Sequence, residues 1–444
     1  MDKPVVRISV RNLVEFILRS GDLDNRRGSA DKEAMLKGSR LHRKIQSQMG
    51  SHYRAEVSLK YTTEYDDVSI VVEGRADGIF TEDEQYFIDE IKGVYADVSQ
   101  LEKPVEVHRA QAMCYACIYA REQQLEKIGV QMTYGNLDTE ELKYFREEFT
   151  LEELKDWYQE LLDRYHKWIS YQLAWKKERN ESMEGLEFPF EYREGQRKIV
   201  SSVYHTISAE RQIFIQAPTG VGKTMSTIFP AVRAVGAGLG ENIFYLTAKT
   251  ITRTVAEEAF LILKEHGLKF KVITITAKEK LCFCDKTECN PENCLWARGH
   301  LDRINDAVYE LWTTQDCYGR ETILEYAKKW QVCPFELCLD LAIWVDAVIC
   351  DYNYVFDPNV RLKRYFAEGE ERGNYIFLVD EAHNLVSRAR EMYSAVLIKE
   401  ELLAVKRILK GIPEAGKVLK LLERCNRRML DLKRLGETEP FSDE

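Results

Sequence analysis

The 444-residue chain is too long for a single compact core, and a chain of this length is expected to form two to four domains. Its 45% of hydrophobic and 31% of charged residues are typical of a soluble globular protein and exclude a disordered or fibrous one. The formal charge of −10 makes nucleic acid a less expected partner, although a basic channel can lie inside an acidic protein. No run of about 18 uncharged apolar residues occurs and the N-terminus has no signal-peptide core, so we expect a cytoplasmic protein without a membrane span.

Residues 1–135 are predicted to form an α+β domain. Hydrophobic periodicity predicts, in order, helix 35–49, strands 53–61, 68–80 and 86–92, helix 107–124 and strand 129–133. A polar turn at residues 81–85 separates the second of these strands from the third, which predicts an antiparallel hairpin.

Two carboxylates and a lysine stand out on this hairpin. Side chains alternate along a strand, so Glu90 and Lys92 share one face, and Asp77 on the preceding strand can approach Glu90. Two carboxylates placed in this way can hold a divalent cation, and a lysine beside them can orient a water or stabilise negative charge. Because solvated strand faces often carry Glu and Lys, this pattern alone is weak evidence for a catalytic site.

A long helix is predicted after this domain. Thr150 and Glu153 form a capping-box pattern, and apolar residues follow at helical spacing from Leu154 to Trp168. The segment becomes polar at residues 176–184, which we interpret as a domain boundary.

From about residue 187 the pattern changes to α/β. Short apolar runs separated by helical stretches predict a parallel sheet that is buried on both faces. The predicted strands are residues 212–216, 242–247, 271–276, 347–350 and 375–379. The residues with catalytic potential follow the carboxyl ends of these strands, where open α/β sheets bind their ligands.

A phosphate-binding loop follows the first of these strands. It consists of Ala217, Pro218, Thr219, Gly220, Val221, Gly222, Lys223 and Thr224, which matches G-x-x-x-x-G-K-[ST] with Ala in place of the first Gly. Small residues let backbone N–H groups surround the phosphates; Lys223 then reaches the β- and γ-phosphates, and the Thr224 hydroxyl ligates Mg²⁺. The helix predicted after the loop points its N-terminus at the same anion, so we expect ATP and Mg²⁺ here.

Asp380 and Glu381 follow the last predicted strand. The strand would bring Asp380 to the Mg²⁺ of the nucleotide, and Glu381 can polarise the attacking water. His383 either couples this site to the rest of the protein or is a capping or packing histidine.

Eight of the eleven cysteines lie between Cys282 and Cys350, and the first seven of them lie between two strands of the predicted sheet. Such clustering in a reducing compartment indicates a metal rather than disulfides. Zinc would favour paired C-x₂-C motifs, and the irregular spacing found here fits an iron–sulfur cluster better. Alternatively, the thiols are small buried hydrophobes, which explains Cys350 in an apolar strand better than the cysteines at 282–294.

Residues 188–444 resemble the first motor domain of the XPD/DinG family of iron–sulfur superfamily 2 DNA helicases. The matching segments are residues 188–196, Leu281-Cys282, Cys333-Pro-Phe335, residues 347–358 and the Asp-Glu-Ala-His sequence at 380–383. The resemblance implies a RecA-like ATP-binding domain at residues 187–383 with an iron–sulfur insertion at residues 277–340. It also implies 5′→3′ movement on single-stranded or forked DNA, in DNA repair.

The same resemblance implies roles for individual residues. Arg193 and Gln196 would lie on the adenine side of ATP. A 4Fe-4S cluster would be held by Cys282, Cys289, Cys294 and Cys333. The spacing of the middle two differs from that in XPD, and Cys284 competes with them.

Residues 1–135 resemble the RecB-like branch of the PD-(D/E)xK nucleases, whose fold is restriction-endonuclease-like. The elements that match in order are His42, Glu56, Asp77, Glu90 with Lys92, and Gln111 with Tyr115. The resemblance implies Mg²⁺ or Mn²⁺ held by His42, Asp77 and Glu90, catalysis with Lys92, and supporting roles for Glu56, Gln111 and Tyr115. Some relatives of this branch bind a cluster of their own, but here we expect Cys114 and Cys117 in the core.

The leading hypothesis is an ATP-dependent DNA helicase joined through a helical linker, residues 136–186, to a metal-dependent nuclease. Two alternatives stay open: a DNA-dependent ATPase or translocase whose N-terminal domain only binds DNA, and a non-motor ATP switch. Residues 384–444 are helical and charged like the start of the family's arch insertion, and no second motor domain follows. We therefore expect an incomplete product of a longer helicase that binds ATP weakly and does not unwind DNA; the oligomeric state stays open.

Overall fold

The computed structural model describes residues 3–26, 32–218, 220–248, 250–366 and 373–438. The chain divides into two compact units, Met1–Asp351 with Leu362–Asp380, and Tyr352–Arg361 with Glu381–Glu444. None of the described helices combines the length and the apolar character needed to cross a bilayer.

Within the described residues, the N-terminal part of the first unit is a mixed six-stranded sheet with helices packed against it. Its elements are β1 (Val5–Ser9), α1 (Val10–Ile17), α2 (Lys32–Gln48), β2 (Tyr53–Glu64), β3 (Ser69–Glu82), β4 (Gln85–Val94), α3 (Glu106–Gln123), β5 (Lys127–Asn136) and β6 (Leu142–Thr150). The predicted helices and strands are confirmed, including the antiparallel hairpin of β3 and β4. The short β1 and α1 and the charged edge strand β6 were not predicted.

The long strand β3 organises this sheet. β2 pairs antiparallel with one edge of β3, while β1 and β4 share the other edge. β1 pairs with residues 69–73 and β4 with residues 78–82, so neither takes residues 74–77 of β3 as a ladder partner. β4 then pairs parallel with β5, which pairs antiparallel with β6. The interruption between β1 and β4 is the place where the predicted acidic residues meet.

Helix α4 (Leu151–Glu184) leaves this sheet as one continuous element of 34 residues. The predicted capping box at its N-terminus is confirmed. The Thr150 hydroxyl accepts from the Glu153 backbone N–H at 3.2 Å, and the Glu153 carboxylate accepts from the Thr150 backbone N–H at 2.8 Å. Two backbone donors that the helix cannot satisfy internally are thereby paired.

A second sheet follows α4. The elements are α5 (Gln196–Ser208), α6 (Lys223–Gly236), β7 (Asn242–Leu246), α7 (Thr250–Glu265), β8 (Val272–Thr274), α8 (Lys278–Leu281), α9 (His300–Thr314), β9 (Cys317–Tyr318), α10 (Arg320–Trp330), α11 (Pro334–Ala342), β10 (Ala347–Cys350), α12 (Asn353–Phe356), α13 (Lys363–Phe366) and β11 (Tyr375–Val379). The described strands lie in the order β11-β7-β10-β8-β9, and every pair is parallel, which confirms the predicted parallel sheet. Helices α6 and α7 cover one face with buried apolar side chains, including Ile228, Val232, Phe260 and Leu263.

One predicted strand is absent. Residues 211–218 have no regular secondary structure, and the side chain of Phe214 is 90% exposed. The prediction of a strand at residues 212–216 is therefore wrong. An apolar run becomes a strand only when a neighbouring strand pairs its backbone groups, and none of the described strands pairs with it.

The C-terminal end of α4 is anchored beside the second sheet. Trp175 and Arg179 donate to the buried carboxylate of Asp346 at 2.9 and 2.7 Å, and the Lys271 backbone N–H donates to it at 2.8 Å. The polar residues 176–184, interpreted as a domain boundary, thus lie inside a helix that belongs to the same compact unit as both sheets.

The second unit is helical in its described residues. Besides α12 it contains α14 (Leu385–Met392), α15 (Lys399–Leu409) and α16 (Gly416–Thr438), and α15 packs on α16. The helical character predicted for residues 384–444 is confirmed for the described part.

Candidate functional sites

The carboxylates of Asp77 and Glu90 lie where β3 and β4 separate. The ladder between these strands ends at the pair Gly78 and Asp89, so Asp77 and Glu90 occupy the next position. Asp77 Oδ2 accepts from the Ile91 backbone N–H at 2.7 Å, which fixes the carboxylate beside β4. The structure thus brings the two predicted acidic residues together.

Glu90 is buried at this centre and its carboxyl is strongly perturbed. Its side chain is 1% exposed, and Oε1 accepts from the Lys92 ammonium at 2.6 Å. Among the described residues, Oε2 has no hydrogen-bond partner. Burial raises the pKa of Glu90 to about 8, although the charge of Lys92 opposes the shift. Burying a carboxylate oxygen without a hydrogen-bond partner lowers the stability of the fold unless something binds that oxygen. A hard cation such as Mg²⁺ takes carboxylate oxygens as ligands.

His42 and Gln111 reach the same centre from two helices. His42 Nδ1 on α2 lies 3.5 Å from Asp77 Oδ1. Gln111 on α3 accepts from the Lys92 ammonium through Oε1 at 3.2 Å. Both helices pack on the sheet, so the backbone positions of these side chains are set by the core.

Glu56 and Tyr115 lie at the margin of the centre. Glu56 has φ of 56° at an interruption of the β2–β3 ladder opposite Asp77, and its carboxylate pairs with Arg75 at 2.6 Å. The Tyr115 hydroxyl lies against Gly74, where a Cβ atom would be only 2.7 Å away. Glu56 therefore contacts the centre indirectly, and Tyr115 seats α3 on β3.

Two further residues of this centre, Gln46 and His108, escaped the sequence analysis. Gln46 donates to the Asp77 backbone O at 2.9 Å and to Glu56 Oε1 at 3.2 Å. It lies one helical turn after His42, a spacing that could have identified it. Burial, with the nearby charges of Lys92 and Arg11, lowers the pKa of His108 to about 4, which keeps that ring neutral.

The phosphate-binding loop has the backbone that its sequence requires. Gly220 and Gly222 have φ of 88° and 78°, in the left-handed region that favours glycine. Helix α6 begins at Lys223 without a side-chain cap, so its first N–H groups are available to an anion. The Lys223 ammonium donates to the Ala217 carbonyl at 3.1 Å and thus lies across the loop.

Most other residues of this loop are also described. Pro218, Val221 and Thr224 lie within the described part, and Val221 and Thr224 are partly buried. Thr219 lies outside the described residues.

Arg193 and Gln196 contact the phosphate-binding loop. The Gln196 amide is buried and fills the space beside Gly222, where a Cβ atom would lie 2.7 Å from Nε2. Gln196 Oε1 accepts from the Arg193 backbone N–H at 3.0 Å, and the Arg193 guanidinium donates to the Gly220 carbonyl. The predicted adenine-side element is therefore attached to the loop.

The acidic pair after β11 is divided between the units. Asp380 ends the first unit, and its backbone N–H donates to the Leu246 carbonyl at the end of β7 at 2.9 Å. Glu381 begins the second unit with φ of 48°, and its Oε2 lies 3.3 Å from His383 Nδ1. A left-handed backbone at a non-glycine residue is strained, and such strain is concentrated at functional sites.

Five cysteines of the insertion lie close together, in two adjoining groups. The Sγ atoms of Cys284 and Cys294 are 3.8 Å apart, and Cys282 adjoins them. Cys289 and Cys333 form the other group. Cys289 directly precedes the turn that the Cys294 N–H closes with the Asn290 carbonyl, so the two groups are neighbours along the chain. Burial raises the pKa of Cys333 to about 11.

The remaining cysteines are mostly core residues. Cys114, Cys117, Cys338 and Cys350 are buried, as expected for Cys114, Cys117 and Cys350. Cys317 is exposed, with Sγ 3.2 Å from the Lys264 ammonium.

Among the described residues, no group of three or more His, Cys, Asp or Glu side chains is arranged to hold a metal ion. A single ion needs all of its thiolates about 2.3 Å from one point, whereas a cluster distributes them over several irons. The grouped thiols fit the donor chemistry of an iron–sulfur cluster, and the unpartnered Glu90 oxygen fits that of Mg²⁺ or Mn²⁺.

Comparison with known proteins gives one family match. Residues 247–402 match the family model described as DEAD_2. This segment begins at the end of β7 and contains the cysteine-rich insertion and the Asp380–Glu381 pair.

Three similar proteins share parts of the chain. It is 24% identical over 308 residues to a regulator of telomere elongation helicase 1 homolog of Caenorhabditis briggsae, covering 59% of this chain and 30% of that one. It is 30% identical over 116 residues to a Fanconi anemia group J protein homolog of Gallus gallus, covering 26% and 9%. A solved structure titled XPD_Helicase has 17% identity and a TM-score of 0.36, covering 54% of this chain and 40% of that one. The chain thus spans less than a third of the length of either curated relative.

Proposed function

We propose that the chain carries the ATP-binding part of a DNA helicase together with a metal-dependent nuclease centre. The observation that carries the proposal is the phosphate-binding loop, with its two left-handed glycines, Lys223 and the attached Gln196. The DEAD_2 match over residues 247–402 and the helicase name of the similar Caenorhabditis briggsae protein support the motor assignment. The 5′→3′ direction and the role in repair belong to the proposal.

The nucleotide chemistry follows from positioning. Backbone N–H groups of the loop and of the first turn of α6 bind the phosphates, and Lys223 exchanges its bond to Ala217 for phosphate oxygens. Thr224 and Asp380 would hold Mg²⁺, which neutralises charge on the phosphates when bound. Glu381 orients the attacking water and accepts its proton. His383 Nδ1 lies 3.3 Å from Glu381 Oε2 within the second unit.

In the nuclease centre, Asp77, Glu90 and His42 would hold Mg²⁺ or Mn²⁺, which when bound supplies a Lewis acid for phosphodiester cleavage. Lys92 stabilises negative charge on the phosphate and holds Glu90 Oε1 in place. Gln111 orients the Lys92 ammonium from α3. The 4Fe-4S cluster would be held by four cysteines of the insertion: Cys282, Cys289, Cys294 and Cys333. Cys284 is the competing thiol. The proposed partner is DNA, single-stranded or forked.

Nucleotide binding tests the motor assignment. Lys223→Ala is expected to weaken binding of a fluorescent ATP analogue at least about tenfold, since one charge-assisted phosphate contact contributes about 1.5–3 kcal/mol. Lys103→Ala changes an exposed lysine of the N-terminal part and should bind like the parent. Equal affinity of all three proteins would overturn the assignment. Binding that does not respond to single-stranded DNA would instead favour a non-motor ATP switch.

Cleavage of labelled single-stranded DNA in Mg²⁺ or Mn²⁺ tests the nuclease centre. Asp77→Asn is expected to lower the rate by about 100-fold or more, because losing one metal ligand costs several kcal/mol. Asp66→Asn, in the exposed turn between β2 and β3, is the matched control. If the parent binds DNA but shows no metal-dependent cleavage, the N-terminal part only binds DNA.

A further inference from the structure

A nine-residue segment of the N-terminal part runs along the cysteine-rich insertion. Residues 18–26, named here the strap, follow α1 and have no helix or strand structure. Three backbone hydrogen bonds of 2.9 Å join it to the insertion: Leu23 N–H to Ala297 O, Asn25 N–H to Cys289 O, and Leu301 N–H to Gly21 O. A segment that leaves one sheet therefore pairs with residues about 270 positions later.

Side chains reinforce this contact from both directions. Asp22 Oδ1 accepts from the Gly299 backbone N–H at 2.7 Å, and Asp302 Oδ1 accepts from the Gly21 backbone N–H at 2.8 Å. The Arg26 guanidinium donates to Glu292 at 2.8 Å. Loop backbone that lacks regular structure needs such partners for its polar groups.

The strap reaches the group of thiols formed by Cys289 and Cys333. Asn25 bonds directly to the carbonyl of Cys289. At the other end, Arg19 donates to the buried Asp340 at 2.9 Å and to Asn305 at 2.7 Å. Both of these partners lie on the helices that frame the insertion, α11 and α9.

A buried histidine completes the connection to Cys333. His300 Nδ1 accepts from the Cys333 backbone N–H at 3.1 Å, and Asp340 is the acidic neighbour of the ring. Arg19 is thus paired with Asp340, the charge of Asp340 acts on the His300 ring, and that ring binds the backbone of Cys333.

The strap is equally fixed at its origin. Val10, Leu13, Val14 and Ile17 of α1 are buried in the N-terminal part, and Arg164 of α4 donates to the Ile17 carbonyl at 2.8 Å. The strap is therefore attached to the N-terminal part where it begins, and its hydrogen bonds attach it to the insertion along its length.

We propose that the strap is a wall of the cysteine site, with Arg19 and Asp22 as positioning residues that hold the backbone of Cys333 and of residues 289–302. The metal site is then built jointly by the nuclease-like part and the insertion. The measurement of iron retention described next depends on the proposed iron–sulfur site. The measurement of thiol alkylation that follows it depends only on the contacts of the strap.

Iron retention of the anaerobically purified full chain tests the proposal. Asp22→Ala and Arg19→Met are expected to lose iron and absorbance near 400 nm to a chelator several-fold faster than the parent. Asp22→Asn keeps an acceptor for the Gly299 N–H and should restore the parent rate, and Asp66→Ala should leave it unchanged. Strap variants that lose iron at the parent rate, while Cys333→Ser loses it fast, would overturn the proposal.

A second readout separates this proposal from the metal assignment. Alkylation of Cys289 and Cys333 in the iron-free folded chain, followed by mass spectrometry, is expected to be several-fold faster in Asp22→Ala and Arg19→Met. Alkylation of the core residue Cys114 serves as the internal control for unfolding. If the parent binds no iron, the cluster assignment fails, and these rates alone decide: faster alkylation supports the strap, and equal rates overturn it.

Discussion

Glu90 combines complete burial with a titratable carboxyl, and this makes the N-terminal centre sensitive to pH. Its pKa is raised from the ordinary 4.5 to about 8, mainly by burial. Between these values the folded chain binds the proton and the unfolded chain has released it. Stability is therefore highest at low pH within this window and falls as pH rises towards 8, by up to about 1.4 kcal/mol per pH unit.

Replacing the Glu90 carboxyl by an amide should remove this pH dependence of stability. We expect Glu90→Gln, measured without metal, to unfold at a higher temperature than the parent, and the difference in Tm to increase from pH 5 to pH 8. Glu84→Gln, in the exposed turn before β4, should follow the parent at every pH. Parallel Tm curves for Glu90→Gln and the parent would show that the Glu90 pKa is not shifted.

Two glycines with similar φ values make it possible to distinguish backbone strain from an effect on nucleotide binding. Gly222 and Gly238 have φ of 78° and 75°, but only a Cβ atom at Gly222 would meet the Gln196 amide. Both Gly→Ala variants should lose about 1 kcal/mol of stability in denaturant titration. Only Gly222→Ala should lose binding of the fluorescent ATP analogue, and equal loss in both would assign the effect to backbone strain.

At the scale of elements, the capping box of α4 offers a sharp comparison. Glu153 accepts from the Thr150 backbone N–H, whereas Glu152 beside it is exposed and shares the favourable first-turn position. Glu153→Ala is expected to cost about 1 kcal/mol of unfolding free energy, and Glu152→Ala less than about 0.5 kcal/mol. Urea denaturation of both variants measures the difference, and equal losses would mean that only the helix dipole is involved.

Sequence patterns correctly predicted the elements that depend on interactions between residues close together in the chain. Strand alternation, the capping box and the glycine loop follow from short-range chemistry, and the structure contains each of them. The failures concern pairing: residues 212–216 have strand composition but no described partner, and β1 is a short strand defined by its pairing with β3. The strap escaped the sequence analysis because Arg19 and Asp340 are separated by 321 positions and carry no joint local signal.

At the scale of the whole first unit, Asp346 joins α4 to the second sheet. Its carboxylate and the Arg179 guanidinium are both less than 10% exposed and 2.7 Å apart. Asp346→Ala leaves a buried cation unpaired, so we expect a loss of about 3–5 kcal/mol and a split of one calorimetric transition into two. Glu178→Ala, which removes only an exposed pair with Lys269, should cost less than about 1 kcal/mol. A single transition in Asp346→Ala would show that the two sheets are held together by other contacts.

The length of helix α4 has a consequence for the distance between the two proposed activities. It contains 34 residues in one run, which corresponds to about 50 Å of unbroken helix within one compact unit. If the proposed motor and nuclease act on the same DNA strand, this continuous helix keeps the distance between them constant. Digestion of a long DNA would then yield products of one preferred size rather than a continuous ladder, and insertion of one or two helical turns into α4 would change that size.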